Sequence, residues 1–212
     1  MQNTKVLELI NAGRIEELKA ALRDEIYADA LKKVPGAKNR YSAMKKYFGY
    51  IPQVRESLQK PCMIEFEGTT YTSFCNSHSL VLTKEPCGGI ELFTDVDRYP
   101  QVDRLIHFDG DEETIDLAKV FAEAKAKGYK LKKSELFGEK YQYVMRYKDA
   151  CYKLGLVGAS FAIIDDGKTP SAYYRSNVSP LTLTNELGIC IVMPLRGEVK
   201  DFTDRIIIDA NQ

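Results

Sequence analysis

The stretch SPLTLTNELGICIVMPLRG, from Ser179 to Gly197, decides the fold class of the chain. Two short runs of apolar and β-branched residues flank a turn, a pattern that predicts a pair of antiparallel strands. Pro194 lacks an amide donor and therefore suits the end or the edge of a strand, while Met193 can fill an irregular apolar gap. On these residues alone, the segment Met-Pro-Leu-Arg terminates a sheet.

The residues before this stretch predict one helix and further strands. In YVMRYKDACYKLG, the residues Val144, Tyr147, Cys151 and Leu154 recur at helical spacing, and Gly155 follows as a stop signal. The next segments, GASFAIIDDGK and SAYYRSN, predict a strand with a turn and a further strand. The last third of the chain is therefore expected to run from a helix into three or more antiparallel strands.

The first two thirds of the chain show the same order of elements. Helical spacing occurs over residues 4–33, 41–58 and 111–127, and strand patterns occur over residues 62–94 and near 129–137. A helix followed by strands thus occurs twice, which predicts an α+β core of two similar units in tandem. The expected boundaries are an N-terminal helical extension over residues 1–38, an α+β domain over 39–200 and a C-terminal tail over 201–212.

Composition and charge argue against several classes of protein. The chain has 212 residues with 30 basic and 30 acidic side chains, so its net charge gives no support for a nucleic-acid or membrane partner. No apolar run approaches the length of a membrane span, and the amphipathic N-terminus lacks the features of a secretion signal. Five scattered cysteines without a Cys-x-x-Cys pair predict reduced thiols in a cytoplasmic protein.

Several stretches resemble one protein family. A last strand ending in Met-Pro-Leu-Arg, preceded by a Ser-Pro-Leu strand, is similar to the C-terminal end of the bacterial DNA polymerase III β sliding clamp. Upstream, YVMRYKDACYKLGL and FAIIDDGK resemble the elements that open the last unit of that clamp. The turn at Asn76–Leu80 resembles the clamp's Asp-Gly-His-Arg-Leu turn, and Tyr99-Pro100 resembles part of its Phe-Pro-Asp-Tyr linker.

The resemblance implies a DNA-clamp-like α+β domain with a non-catalytic role. Such a module, of a bacterium or its prophage, would associate with DNA or dock a peptide motif of a replication or repair protein. In the clamp family the final segment lies beside a peptide-binding pocket. If this property carries over, Met193, Pro194 and Arg196 flank a pocket that Leu154 or Leu156 also lines. An alternative is a protein–protein adaptor that keeps the clamp fold without binding DNA.

Basic residues on the predicted helices are the candidate contacts to DNA. In sliding clamps the helices of each unit face the DNA, so the resemblance implies non-specific binding of duplex DNA through phosphate neutralisation. An ordinary solvated surface is the other reading, because Asp149 is expected on the same helical side as two of these residues. The candidates are Lys45, Lys46, Arg146, Lys153, Lys125 and Lys127.

Catalytic and metal signals are weak in this sequence. A cysteine-dependent enzyme using Cys75 and His78 is a further alternative, but residues three apart in a strand face opposite sides. No nucleotide-binding or hydrolase motif is present, and no cysteine or histidine spacing matches a zinc site. The acidic segment HFDGDEE, residues 107–113, is expected to be a solvated loop leading into a helix N-terminus. We therefore expect neither an enzyme nor a bound cofactor or metal.

Overall fold

The computed structural model describes most of the chain as four helices and ten strands. The described residues are 3–15, 17–18, 22, 34–48, 58, 60–84, 99–106, 110–136, 141–197 and 199–211. Within them the helices are α1 (Asn3–Asn11), α2 (Ala37–Phe48), α3 (Leu117–Ala126) and α4 (Leu154–Ile163). The strands are β1 (Cys62–Phe66), β2 (Thr69–Cys75), β3 (Ser79–Thr83), β4 (Glu113–Ile115), β5 (Tyr143–Tyr147), β6 (Ala150–Lys153), β7 (Ser171–Tyr174), β8 (Leu181–Asn185), β9 (Gly188–Val192) and β10 (Ile206–Asp209).

Two sheets organise these strands. The larger sheet has seven antiparallel strands in the order β1-β2-β3-β9-β8-β7-β4. The smaller sheet has the order β10-β5-β6, in which β5 and β6 form a hairpin and β10 runs parallel to β5. This mixture of helices and mainly antiparallel sheet confirms the predicted α+β class.

The centre of the large sheet is buried on both faces. Every residue of β3 and β9 is buried, so neither strand shows the polar alternation of a sheet with one solvated face. Val81 and Cys190 point into the main core beside the helices. Leu80 and Ile191 point to the opposite face, where the segment 99–106 covers them. Burial of these apolar side chains stabilises both layers.

Helices α2 and α4 pack against each other on one side of the large sheet. Helix α4 also packs on β3 and β9, and all of its first seven residues, from Leu154 to Ser160, are buried. A helix that is apolar all round must be covered all round. The segment 133–136 covers one side of α4, because a Cβ atom at Gly155 would lie 2.6 Å from the Cβ atom of Glu135.

The structure corrects the helix predicted over residues 143–155. These residues form the β5–β6 hairpin, with Lys148 at φ 51° in its turn, and helix α4 begins only at Leu154. The strand predicted over Phe161–Ile164 is consequently wrong, since those residues end α4. Short apolar runs fit either periodicity, and here the pairing of β5 with β10 decides in favour of strands.

Three further elements differ from the sequence prediction. The helix predicted from residue 111 begins at Leu117, because the Asp116 side chain accepts hydrogen bonds from Ala118 N and Lys119 N at 3.0 and 3.2 Å and caps it. The strand predicted near 129–137 contains a 3-10 turn at Lys133–Glu135 instead. The expected C-terminal tail contains β10, which is held through an ion pair between Asp209 and Arg146.

The strand predictions for the rest of the large sheet are confirmed. They concern β1, β2, β3, β7, β8 and β9. The predicted helix over residues 41–58 is observed as far as Phe48. Parts of the predictions lie outside the described residues, namely the helix over 23–33, the end of the helix predicted over 41–58, at 49–57, and the strand GGIELF over 88–93.

Candidate functional site

A pocket of about 560 Å³ lies at the end of β2, β3 and β9, on the face of the large sheet opposite α4. We call it the hairpin pocket because the turn between β2 and β3 forms one wall. Its lining is mainly apolar, with a thiol and several hydroxyl groups among the apolar side chains. The lining residues are Leu58, Cys75, Ser77, Ser79, Leu80, Tyr99, Pro100, Leu105, Ile191 and Met193.

The turn that forms this wall is fixed by one buried side chain. Asn76 is 1% exposed, and its Oδ1 accepts hydrogen bonds from His78 N at 3.1 Å and from Ser79 N at 2.8 Å. Ser77, at φ 70°, completes the tight turn. The carbonyl of His78 then accepts a hydrogen bond from Met193 N at 2.8 Å, which ties the end of β9 to the turn.

The opposite wall is the segment 99–106, which Tyr99 holds on the sheet. Tyr99 is 3% exposed, and its hydroxyl oxygen accepts a hydrogen bond from Ser73 Oγ at 3.1 Å. Burial raises the pKa of Tyr99 well above its ordinary value, so the phenol is neutral. Val102 and Ile106 pack on the same apolar cluster as Leu80. The wall is therefore fixed by a buried hydrogen bond and by packing.

Three sequence stretches that resemble clamp motifs meet in the hairpin pocket. The turn resembling Asp-Gly-His-Arg-Leu contributes Ser77, Ser79 and Leu80; the linker-like pair contributes Tyr99 and Pro100; and the C-terminal motif contributes Met193. These stretches are far apart in the sequence, and only the pairing of β3 with β9 brings the first and the last together. The sequence resemblance did not place them in one site.

The predicted docking residues separate into three groups. Met193, 37% exposed, lines the hairpin pocket. Pro194 is half-buried and Arg196 is exposed, but neither lines this pocket. Leu154 and Leu156 are 0% and 1% exposed in the core on the other face of the sheet, so the expectation that either lines the pocket is wrong. They belong to α4, whose start the sequence pattern misplaced.

A second, smaller pocket adjoins the first. It has a volume of about 260 Å³ and shares Leu105 and Met193 with the hairpin pocket. We call it the arginine pocket because Arg104 and Arg175 line it. No signal in the sequence pointed to this pocket. The remaining lining residues are Glu112, Tyr173, Val178, Ser179, Pro180 and Thr182.

The basic residues proposed to contact DNA do not share a helical face. Arg146 lies on β5 and Lys153 on β6, which corrects their placement on one helix. Arg146 forms its ion pair with Asp209, and Lys153 is 8% exposed with its ammonium 4.5 Å from the centre of the Tyr141 ring. Both side chains therefore have structural roles.

The remaining basic candidates lie on two other helices. Lys127, just beyond the end of α3, donates to Glu123 at 2.6 Å and to the Ile207 carbonyl at 3.0 Å. Lys125 is exposed on α3 and Lys46 is exposed on α2. The side chain of Lys45 lies outside the described residues. DNA binding by these residues stays a prediction.

Cys75 and His78 lie in an environment that opposes an activated thiolate. Burial raises the pKa of the Cys75 thiol, and desolvation together with the charge of Lys153 lowers the pKa of His78. Cys75 should therefore react with iodoacetamide at pH 7 no faster than an ordinary free thiol, and His78→Ala should leave the rate unchanged. Peptide mass mapping, with Cys75→Ser as the control, measures this rate. Rapid labelling of Cys75 that His78→Ala abolishes would support the enzyme alternative.

The described residues contain neither a cluster of metal-ligating side chains nor a membrane-spanning helix. Among the described residues, no group of three or more His, Cys, Asp or Glu side chains is placed to hold a metal ion. His107 and Asp109 of the acidic segment lie outside those residues. None of the described helices is both long and apolar enough to cross a membrane.

Comparison with known proteins gives a likeness in fold. The structure is similar to the DNA polymerase sliding clamp of Bacillus subtilis, with a TM-score of 0.47 and 10% sequence identity. The aligned region covers 77% of this chain and 63% of that clamp chain, so it spans less than two thirds of the clamp. No family model and no curated protein matches the chain.

Proposed function

We propose that this chain is a non-catalytic, clamp-like docking module whose hairpin pocket binds an apolar side chain of a partner polypeptide. The convergence of three separate clamp-like stretches on one pocket carries this proposal. It corresponds to the adaptor alternative, in which the fold is kept and the partner is a protein. A peptide segment of a replication or repair protein is the partner that the sequence resemblance implies.

The physical character of the hairpin pocket suits an apolar anchor. Its volume of about 560 Å³ lies in the range that small binding sites occupy, and apolar side chains dominate its lining. The exposed hydroxyl group of Ser77 can bind polar groups of a bound backbone, whereas the buried Ser79 hydroxyl donates to Asn76 Oδ1 at 3.0 Å. Because Asn76 and Tyr99 fix the two walls by buried hydrogen bonds, little conformational entropy should be lost on binding.

Helix α4 gives no support to DNA as the partner, and the exposed candidates Lys46 and Lys125 lie apart from it on α2 and α3. Helix α4 carries no charged residue, and the segment 129–136 packs closely on its glycines. A Cβ atom at Gly158, for example, would lie 2.8 Å from the Tyr129 hydroxyl. Phosphate neutralisation needs exposed basic side chains, which α4 lacks. We therefore favour protein docking over DNA binding.

The pair Met193→Glu and Met63→Glu tests the docking proposal. Short random peptides are displayed, selected on the wild-type protein, and measured by fluorescence anisotropy against both variants. Met193→Glu should weaken the selected peptides by about tenfold or more, because it places a charge in the apolar pocket. Met63 is also exposed, at 52%, but lies on β1 outside the pocket, so Met63→Glu should leave affinity within about twofold.

Two results would contradict the proposal. One is a failure to select any peptide that binds the wild-type protein. The other is a set of peptides whose affinity falls equally in the two glutamate variants, since this would place their binding outside the hairpin pocket. Circular dichroism of both variants controls for folding, because exposed methionines contribute little to stability.

A further inference from the structure

The hairpin pocket and the arginine pocket form one groove across the large sheet. Met193 and Leu105 line both pockets, so the two share a boundary. The hairpin pocket lies over the ends of β2, β3 and β9, whereas the arginine pocket reaches β8 and β7 through Thr182 and Tyr173. The groove therefore runs across the strands, from the hairpin pocket to the arginine pocket.

The floor of the groove is one row of paired residues. In neighbouring strands, Cys75 pairs with Leu80, Leu80 with Ile191, Ile191 with Thr182, and Thr182 with Tyr173. Directly paired residues point to the same face of a sheet, so these five side chains lie side by side. The floor is apolar at the hairpin end and carries hydroxyl groups at the other end.

The spacing of the strands sets the length of segment that the groove can hold. Neighbouring strands lie about 4.8 Å apart, so the boundary of β3 and β9 is about 12 Å from β7. An extended chain advances about 3.3 Å per residue, so about four residues span this distance. A bound segment that fills the hairpin pocket therefore reaches the arginine pocket about four residues away.

The charges at this end of the groove favour a carboxylate. Arg104 and Arg175 are both exposed and line the arginine pocket. Glu112 is the acidic side chain in the same lining, and its Oε2 accepts a hydrogen bond from Gly110 N at 3.0 Å within its own turn. Guanidinium groups bind carboxylates through charge-assisted hydrogen bonds, and each has five N–H donors, so one existing partner does not exhaust it. Two guanidinium groups and one carboxylate give this lining a net positive charge, which attracts a further acid.

We propose that the docked partner segment lies extended across β3, β9, β8 and β7, with an apolar anchor in the hairpin pocket and an acidic side chain about four residues away between Arg104 and Arg175. This inference rests on the proposed function and adds the direction of the bound segment and the charge of its second contact. The partner class is therefore an acidic peptide with one apolar anchor, rather than an apolar segment alone.

Peptides selected on the wild-type protein test this inference through amide substitution. Each peptide is compared by anisotropy with a copy in which Asp and Glu are replaced by Asn and Gln. We expect the acidic form to bind about tenfold more tightly at low salt, and the difference to shrink as salt screens the exposed charges. The double variant Arg104→Glu, Arg175→Glu should remove the preference while the amide form still binds.

A second double variant shows whether the preference for acidic peptides depends on the arginine pocket or on the net charge of the protein. Lys84→Glu with Lys168→Glu changes the net charge equally, but both lysines are exposed and line neither pocket. The acidic preference should survive in this control. Equal affinity of acidic and amide peptides, or loss of the preference in the lysine control, would overturn the inference. If those peptides nevertheless lose affinity in Met193→Glu, the proposed function stands.

Discussion

Replacing Gly155 with alanine should lower the free energy of unfolding by about 3 kcal/mol, the upper part of the range for overpacking. A Cβ atom at this position would lie 2.6 Å from the Cβ atom and 2.7 Å from the carbonyl carbon of Glu135. The obstructing atoms belong largely to backbone, so no side-chain rotation can relieve the contact. Urea denaturation followed by circular dichroism measures the change.

The sign of this effect is as informative as its size. At an open helical position, replacement of glycine by alanine stabilises a protein by about 1 kcal/mol through helix propensity. Ser42→Ala on the exposed surface of α2 is the control and should change stability by less than about 0.5 kcal/mol. A stabilising Gly155→Ala change would mean that the segment 133–136 does not cover α4.

Leu156→Ala should also destabilise the protein, by about 3 kcal/mol within the usual range for buried leucine. Leu156 is 1% exposed in the main core, and its truncation leaves a cavity there. Well below the melting temperature, however, the affinity for selected peptides should be unchanged, because the side chain lies on the opposite face from the hairpin pocket. Thermal denaturation and anisotropy on the same sample measure both quantities.

Truncation of an exposed aliphatic side chain to alanine is the control for Leu156→Ala. Val178 is 77% exposed, so Val178→Ala should alter stability by less than about 0.5 kcal/mol. Because Val178 lines the arginine pocket, it is used here for stability only. A Leu156→Ala variant of normal stability that fails to bind peptides would restore the original expectation that Leu156 lines the docking pocket.

Local sequence patterns sufficed for much of the large sheet. The strands around Ile64, Phe74 and Leu82 and the pair around Leu183 and Cys190 were predictable because turn residues bound short runs rich in β-branched and aromatic residues. The hairpin at residues 143–153 was not predictable in this way. Its apolar spacing also fits a helix, and the strand that completes its sheet, β10, comes from a distant part of the chain.

The candidate site was predictable only in part, for a related reason. Met193, Leu80 and Tyr99 lie in stretches that resemble clamp motifs, so each could be singled out separately. Their meeting in one pocket depends on the pairing of β3 with β9, a long-range contact that periodicity does not report. Arg104 and Arg175 belong to no motif, and only the folded arrangement of the segment 99–106 and β7 brings them together.

The pairing of β3 with β9 also has a consequence for the route by which the chain folds. The two helix-and-strand units meet at this central pair, so each unit has one unpaired strand edge until the other unit pairs with it. Partners so distant in sequence require a large loop to close before their contacts form, and such topologies fold slowly. Until then the facing edges of β3 and β9, whose residues are all buried in the folded sheet, are unpaired, and an unpaired edge rich in apolar residues favours pairing with another chain. The nascent protein is thus most exposed to aggregation or strand exchange at the very strands that later support its docking groove.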